Sequence, residues 1–250
     1  MRNQLQEMRV NAMAQTLMFK NVAEQTSLLS LNMGQVDDLF PGFAAGDFAL
    51  IYGSPSIDYL AATLCIRSQI PKDIGGLNSD VLFIDCGNTF NKDQINRTIQ
   101  RYHLNQKQAI SRIHISRACT AYQITSLITE HLKNIVTEFN TKLIIISDIT
   151  GLFLAEDIPE EEASRVFSQL AAYLQKFARD NKLIIVTTVP RHQNKRRNEA
   201  LKTTICNKAN IAIMLKQSLY ESEFELEKHR KFLLGSAEFP STNGNLTDFF

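Results

Sequence analysis

Phe48-Ala-Leu-Ile-Tyr-Gly-Ser-Pro-Ser-Ile-Asp-Tyr-Leu-Ala-Ala-Thr63 decides how the rest of the chain is read. Phe48 to Tyr52 have the apolar make-up of a buried strand, a turn follows from Gly53, and a helical pattern follows the turn. Nucleotide-binding α/β proteins hold phosphate at such a strand-turn-helix, because the N–H groups at the helix start face the anion. Counted from Gly53, the pattern G-x-x-x-x-G-K-[ST] requires Gly, Lys and Ser or Thr where this chain has Asp58, Tyr59 and Leu60. Asp58 brings a side chain and a negative charge to where amides should approach the anion. Tyr59 removes the cation that reaches the outer phosphates, and Leu60 removes the hydroxyl that holds Mg²⁺. No Gly-Lys dipeptide occurs in the chain. The scaffold of a phosphate loop is present and its chemistry is not. Ser54 as a cap, Pro55 at the first helical position and Asp58 near the positive end predict a helix whose own side chains satisfy its N-terminus. An ordinary strand-turn-helix explains the same residues equally well.

Outward from this stretch the elements alternate. Residues 2–24 contain no Gly or Pro and predict a helix, with Leu5, Met8, Ala12, Phe19 and Val22 along one stripe. That stripe packs either on its own domain or on a partner. A short helical turn and a Gly/Pro-punctuated loop fill 33–46. Beyond the central stretch, 81–85, 112–116, 143–146 and 183–188 read as strands; Leu143-Ile-Ile-Ile146 suits one buried on both faces. Residues 93–103 and 124–139 read as helices. Glu156-Asp-Ile-Pro-Glu-Glu-Glu162 reads as the start of another rather than a metal site, since Pro and acids favour a helix N-terminus. Residues 210–215, 223–228 and 231–234 read as linked strands. The predicted fold is α/β, with a mostly parallel central sheet flanked by helices and a C-terminal antiparallel edge. A helical extension (1–27) and one core domain (28–250) organise it.

Composition narrows the function. The 250 residues are 44% hydrophobic with a net charge of +1, so a core is affordable and any nucleic-acid contact must be local. The four cysteines share no C-x-x-C spacing, and the five histidines form no metal-ligand spacing. No apolar run reaches membrane-spanning length, and no signal-peptide core opens the chain. The expectation is a protein of the cytoplasm, associated with the nucleoid, or of the nucleus in a eukaryotic source, with no membrane partner.

Four further stretches carry a resemblance. They are Leu31-Asn-Met-Gly-Gln-Val-Asp-Asp-Leu-Phe-Pro-Gly-Phe-Ala-Ala-Gly-Asp47, Asp85-Cys-Gly-Asn-Thr-Phe90, Ile115-Ser-Arg-Ala118 and Lys142-Leu-Ile-Ile-Ile-Ser-Asp-Ile-Thr-Gly-Leu-Phe153. In order and spacing they are similar to the segment before Walker A, the D-T-E-G-T-F motif, the Ala-Arg-Ala strand end and Walker B of one family. From about residue 28 onwards the chain resembles the core ATPase domain of the RecA/RadA recombinases, archaeal-eukaryotic branch. The resemblance implies a RecA-like P-loop NTPase fold. It also implies what is missing. The glutamate that activates the attacking water falls on Gly87, and the metal-supporting aspartate of Walker B falls on Ser147. Asp148, one residue on, is expected on the other face of the strand. In the Thr-Asn-Gln motif Thr187 remains, followed by Thr188 and Val189. Phosphoryl transfer depends on positioning and electrostatics, so losing cation, base and metal support together should abolish it. The Phe-x-x-Ala strand of self-polymerisation has its nearest match in Phe19-Lys-Asn-Val22, which lacks the alanine. The length leaves no room for the family's small N-terminal DNA-binding domain.

Arg191-His-Gln-Asn-Lys-Arg-Arg197, with Lys202 and Lys208 beyond, stands where the resemblance implies a DNA-binding loop. Cations so dense can contact several phosphates without regard to sequence; a solvated loop that aids solubility is the other reading, and no aromatic residue is interleaved to stack bases. The expectation is a non-catalytic recombinase paralogue, an accessory or mediator factor in homologous recombination and DNA repair. It has no catalytic residue, no metal and no cofactor, and it binds a catalytic recombinase or sister paralogue. Leu5, Met8, Phe19 and Val22 are the candidate partner contacts, and Arg191, Lys195, Arg196, Arg197 and Lys202 the candidate contacts to single-stranded DNA. Two alternatives differ in class: an ATP-Mg-binding, DNA-dependent ATPase with an unconventional site, and a structural RecA-like subunit outside recombination. Nucleotide binding separates the first alternative from the main reading, and co-purifying partners separate the second.

Overall fold

Phe48–Gly53 (β1) lies inside the sheet because both of its faces are covered: Ala49 and Ile51 enter one apolar layer, Phe48 and Leu50 the other. The structure, a computed structural model, describes residues 28–192, 195–218 and 221–239. The other strands are Asp80–Asp85 (β2), Ile113–Arg117 (β3), Thr141–Ser147 (β4), Ile184–Pro190 (β5), Ile211–Gln217 (β6), Ser222–Lys228 (β7) and Gly235–Glu238 (β8). They form one sheet in the order β3-β2-β4-β5-β1-β6-β7-β8. Every pair from β3 to β6 is parallel, while β6–β7 and β7–β8 are antiparallel. The predicted α/β class, mostly parallel sheet and antiparallel C-terminal edge are therefore what forms.

Helices close both faces. Gly34–Leu39 (α1), Ser56–Arg67 (α2), Lys92–Arg101 (α3) and Gln106–Ser111 (α4) cover one, burying Val36, Leu60, Ile95, Ile99 and Ala109 against the odd-numbered β1 side chains. The other is covered by Ala121–Ser126 (α5), a wider π turn at Leu127–His131, Leu132–Glu138 (α6), Glu160–Asn181 (α7) and Lys195–Lys208 (α8). Side-chain caps set several starts: Asn91, Asn105 and Thr120 each accept the amide three residues on. Pro159 precedes α7 and Glu160, Glu161 and Glu162 fill its first turn, as the helix reading of that acidic run requires.

Two expectations are corrected. The short helix α4 had no predicted counterpart, its single buried residue Ala109 giving no periodicity to read. The last strand is 235–238 rather than 231–234: His229 Nδ1 accepts the N–H groups of Lys231 and Phe232, and its ring stacks on Phe232, so these residues turn before pairing begins. The predicted helix over 2–24 and the extension 1–27 lie outside the described residues, as do Leu5, Met8, Phe19 and Val22. No helix among the described residues is long and apolar enough to cross a membrane.

Candidate functional site

The site is built where β1, β2, β4 and β5 end. At Gly53 the backbone takes φ 120°, and a Cβ there would strike the Leu215 carbonyl oxygen of β6. The Ser54 N–H donates to that same carbonyl at 2.8 Å, so the chain leaves β1 fastened to its neighbour. Only Ser54 and Pro55 separate Gly53 from α2. Ser54 does not cap the helix, contrary to the sequence reading. Pro55 is already helical (φ −58°, ψ −12°), and the carbonyls of Ser54 and Pro55 accept the Ile57 and Asp58 amides at 3.2 Å each. The N-terminus is satisfied by backbone, and the buried hydroxyls of Ser54 and Ser56 have no hydrogen-bond partner. The next three positions diverge. Leu60 is fully buried in the core. The Tyr59 hydroxyl accepts from Arg101 and its ring meets Phe239 edge-on at 5.9 Å. Asp58 lines a small open cleft with Thr89, Asn91, Ser147, Thr188 and apolar side chains.

Asp85, at the end of β2, is 2% exposed. Its carboxylate accepts the amides of Thr89 (2.9 Å) and Phe90 (3.3 Å), folding the loop back on itself, and Arg117 Nε lies 3.7 Å away. Asn88 takes the left-handed conformation in that loop, where the family motif has glycine.

Asp148 departs from the sequence reading. Strand alternation would put it opposite Ser147, but β4 ends at Ser147 and Asp148 turns to φ 51°. Its N–H donates to Thr188 Oγ1 at 2.9 Å, and its carboxylate accepts from Gly151 N–H at 3.1 Å and meets His192 Nε2 at 2.6 Å. A Cβ built at Gly87 would lie 2.6 Å from Asp148 Oδ2, and one at Gly151 equally close. The carboxyl group is wedged between two glycines, in the space where a side chain at 87 would begin. Beside it the Ser147 and Thr89 hydroxyls hydrogen-bond to each other. Burial pushes the Asp148 carboxyl above its ordinary value; the His192 contact and the Gly151 amide oppose this, and Asp85 adds to it. Asp58 is raised too, by desolvation first and by the charges of Asp85 and Asp148 second.

The basic stretch is not the loop that was expected. Thr187 Oγ1 donates to the Ala49 carbonyl at 3.0 Å, and β5 continues to Pro190. Arg191 is exposed and His192 turns inward to Asp148, while Lys195 opens α8. Buried Asn198 holds the first turns of this helix, accepting from Thr150 Oγ1 at 2.7 Å and donating to the Pro190 carbonyl at 3.1 Å. Arg196 is exposed. Arg197 instead donates to the carbonyls of Ala155 (3.3 Å) and Ile158 (3.0 Å). Lys202 pairs with Glu199 at 2.5 Å and lies 4.5 Å above the Tyr52 ring. His192 and Arg117 escaped the sequence reading. Nothing in local spacing joins residues 148 and 192, which meet only because β4 and β5 are neighbours.

The family model described as Rad51 matches residues 26–210, from before α1 to the end of α8. The chain belongs to the Rad51 family. Every described site residue above, from Gly53 to Lys202, falls within the matched span, and β6 to β8 follow it. The chain is similar to the DNA repair and recombination protein RadA of Cenarchaeum symbiosum (strain A), 30% identical over 118 residues, 47% of this chain and 29% of that protein. It is also similar to the meiotic recombination protein DLH1 of Candida albicans, 28% identical over 120 residues, 48% of this chain and 37% of that protein. The aligned part thus spans about a third of the length of these relatives. As a Rad51-family chain it carries the RecA-like fold.

Proposed function

We propose that the chain acts in homologous recombination and DNA repair as a non-catalytic Rad51-family paralogue, an accessory factor that binds a catalytic recombinase or a sister paralogue. Family membership and the recombination roles in the names of its relatives support the process. The observation that carries the non-catalytic part is the Asp148 carboxylate, which fills the space at Gly87 where the resemblance puts the base. ATP-Mg is the group the fold implies, and the residues present do not fit it. A triphosphate needs cations and free amides, but α2 opens with its amides at 57 and 58 already bonded to carbonyls. Asp58, the charged side chain among the described residues lining the cleft, is negative, the charges of Asp85 and Asp148 lie close enough to act on it, and the hydroxyl position for Mg²⁺ is the buried Leu60. Single-stranded DNA contact rests on Arg191 and Arg196, exposed where β5 passes to α8.

Thermal melting with millimolar ATP-Mg tests the site. A ligand at a hundredfold its Kd adds about 2.7 kcal/mol, or roughly 5–11 °C in a domain of this size. No shift is expected, and a rise that a chelator reverses would sink the reading. The partner arm is co-elution, after co-expression, with the catalytic recombinase and with each sister paralogue of the same organism. Separate elution from all of them would remove the accessory role.

A further inference from the structure

β8 is the last strand of the sheet, and among the described residues no strand pairs with its outer side. Antiparallel neighbours exchange hydrogen bonds at alternate residues. Phe239 N–H donates to the Ser222 carbonyl at 2.8 Å, so in this register Ser236 and Glu238 turn their N–H and C=O groups away from β7. Such an edge is a template for one more strand. The face beside it selects which. On β7, Phe224 and Leu226 enter the core on the α1 side, which puts Glu223, Glu225 and Glu227 on the opposite face, each part-exposed. Ser236 stands opposite Glu225 and Glu238 opposite Glu223, so they share that face. The four glutamates outnumber the cations they meet. Lys216 pairs with Glu225 at 2.5 Å and Glu223 at 3.4 Å, and Lys228 is turned to the Cys206 carbonyl at 2.7 Å. A hydrogen bond from the Ser236 hydroxyl holds the Glu223 carboxyl below its ordinary value. The face is therefore negative on a chain whose net charge is +1. On the other face of β8 stand Gly235 and Ala237, and Leu233 and Leu234, exposed just before the strand, add apolar surface.

We propose that the free edge of β8 takes a basic strand of a partner protein, one in which Lys or Arg alternates with aliphatic residues, as the ninth strand of the sheet. Ser236 and Glu238 supply the backbone bonds, the cations lie along the glutamate row, and the aliphatic side chains lie on the face of Ala237. Charge excludes the other occupants. A second copy paired edge to edge would set another acidic row beside this one, and residues 240–250 hold an aspartate and no Lys or Arg. The same glutamates repel neutral-to-acidic strands that an open edge would otherwise attract, which makes the edge selective. This contact goes beyond the accessory reading and does not depend on it.

The test is an NMR titration of the full chain with the peptide acetyl-Lys-Val-Lys-Val-Lys-Val-Lys-amide. The amide signals of Ser236 and Glu238 should move as it is added, and the counterpart with Glu in place of Lys should leave them still. The same peptide N-methylated at every residue keeps its charge and loses its N–H donors, and should bind about tenfold or more weakly. Glu223→Gln/Glu238→Gln should weaken the parent peptide about fivefold. Ser236→Pro removes an N–H that the fold does not use, and should weaken it about tenfold while melting within about 3 °C of wild type. No response at Ser236 and Glu238 up to about 1 mM peptide overturns the proposal. So does equal binding of the N-methylated peptide, which would mean attraction by charge alone, or undiminished binding by the glutamine variant. Should Ser236→Pro fail to fold, the N-methylated peptide on the wild-type chain still decides. Neither nucleotide nor recombinase enters the assay, so this proposal and the accessory reading fail separately.

Discussion

One methyl group at residue 87 should cost far more than its size suggests. Gly87→Ala would place a Cβ 2.6 Å from Asp148 Oδ2 and 2.8 Å from Asp148 Cβ, where carbon contacts settle at about 3.5–4 Å. The φ of Gly87 is outside the left-handed region, so the cost is steric and not one of backbone strain. The carboxyl has no retreat, because the backbone of Gly151 closes its other side and His192 holds Oδ1 at 2.6 Å. Overpacking costs about 1–3 kcal/mol, and weakening a hydrogen bond to a charged group costs about 1.5–3 kcal/mol. Relief of one strain partly causes the other, so we expect about 2–4 kcal/mol in total, or roughly 4–16 °C by scanning calorimetry at pH 7. Asp148→Gly removes both clashing atoms and suits φ 51°. The double variant Gly87→Ala/Asp148→Gly should therefore recover stability relative to Gly87→Ala, with a coupling of about 1–3 kcal/mol. If Gly87→Ala melts within about 2 °C of wild type, or the two changes simply add, Asp148 does not hold this space.

Four other outcomes are expected. Asp58 has a folded pKa raised above 3.8, so its ionised form is disfavoured at neutral pH and that cost vanishes as pH falls through the folded value. Asp58→Asn should raise the melting temperature at pH 7, with the gain shrinking toward pH 3.8; a gain independent of pH would contradict this. Rebuilding the loop with Asp58→Gly, Tyr59→Lys and Leu60→Thr should open the core at fully buried Leu60, lower the melting point and yield no ATP hydrolysis, since Gly87 and Ser147 are unchanged; turnover would show that the base lies elsewhere. Arg191→Ala/Arg196→Ala should flatten the salt dependence of single-strand binding without altering the melt, whereas Arg197→Ala should cost about 1–3 kcal/mol through two lost bonds to backbone carbonyls. Leu5→Asp/Met8→Asp should abolish partner association at unchanged melting temperature, and a large drop in melting temperature would assign those residues to the core.

The chain's own pattern determined the fold class and the family. Aliphatic runs such as Leu143-Ile-Ile-Ile146 specify strands covered on both faces, and the i, i+3, i+4 spacing of Ile124, Leu127 and Ile128 specifies a helix, because both periodicities are local properties of the backbone. The identities at Asp58, Tyr59, Leu60 and Gly87 likewise needed only a count along the chain. Where those side chains go is another matter. Strand alternation cannot foresee that β4 stops at Ser147, so that Asp148 swings toward Gly87, and no spacing links it to His192. The charge count gave the cations of the basic stretch without revealing that Arg197 and Lys202 are engaged by Ala155, Ile158, Glu199 and Tyr52. These contacts join the ends of strands far apart in sequence, and only the packing of the sheet brings them within bonding distance.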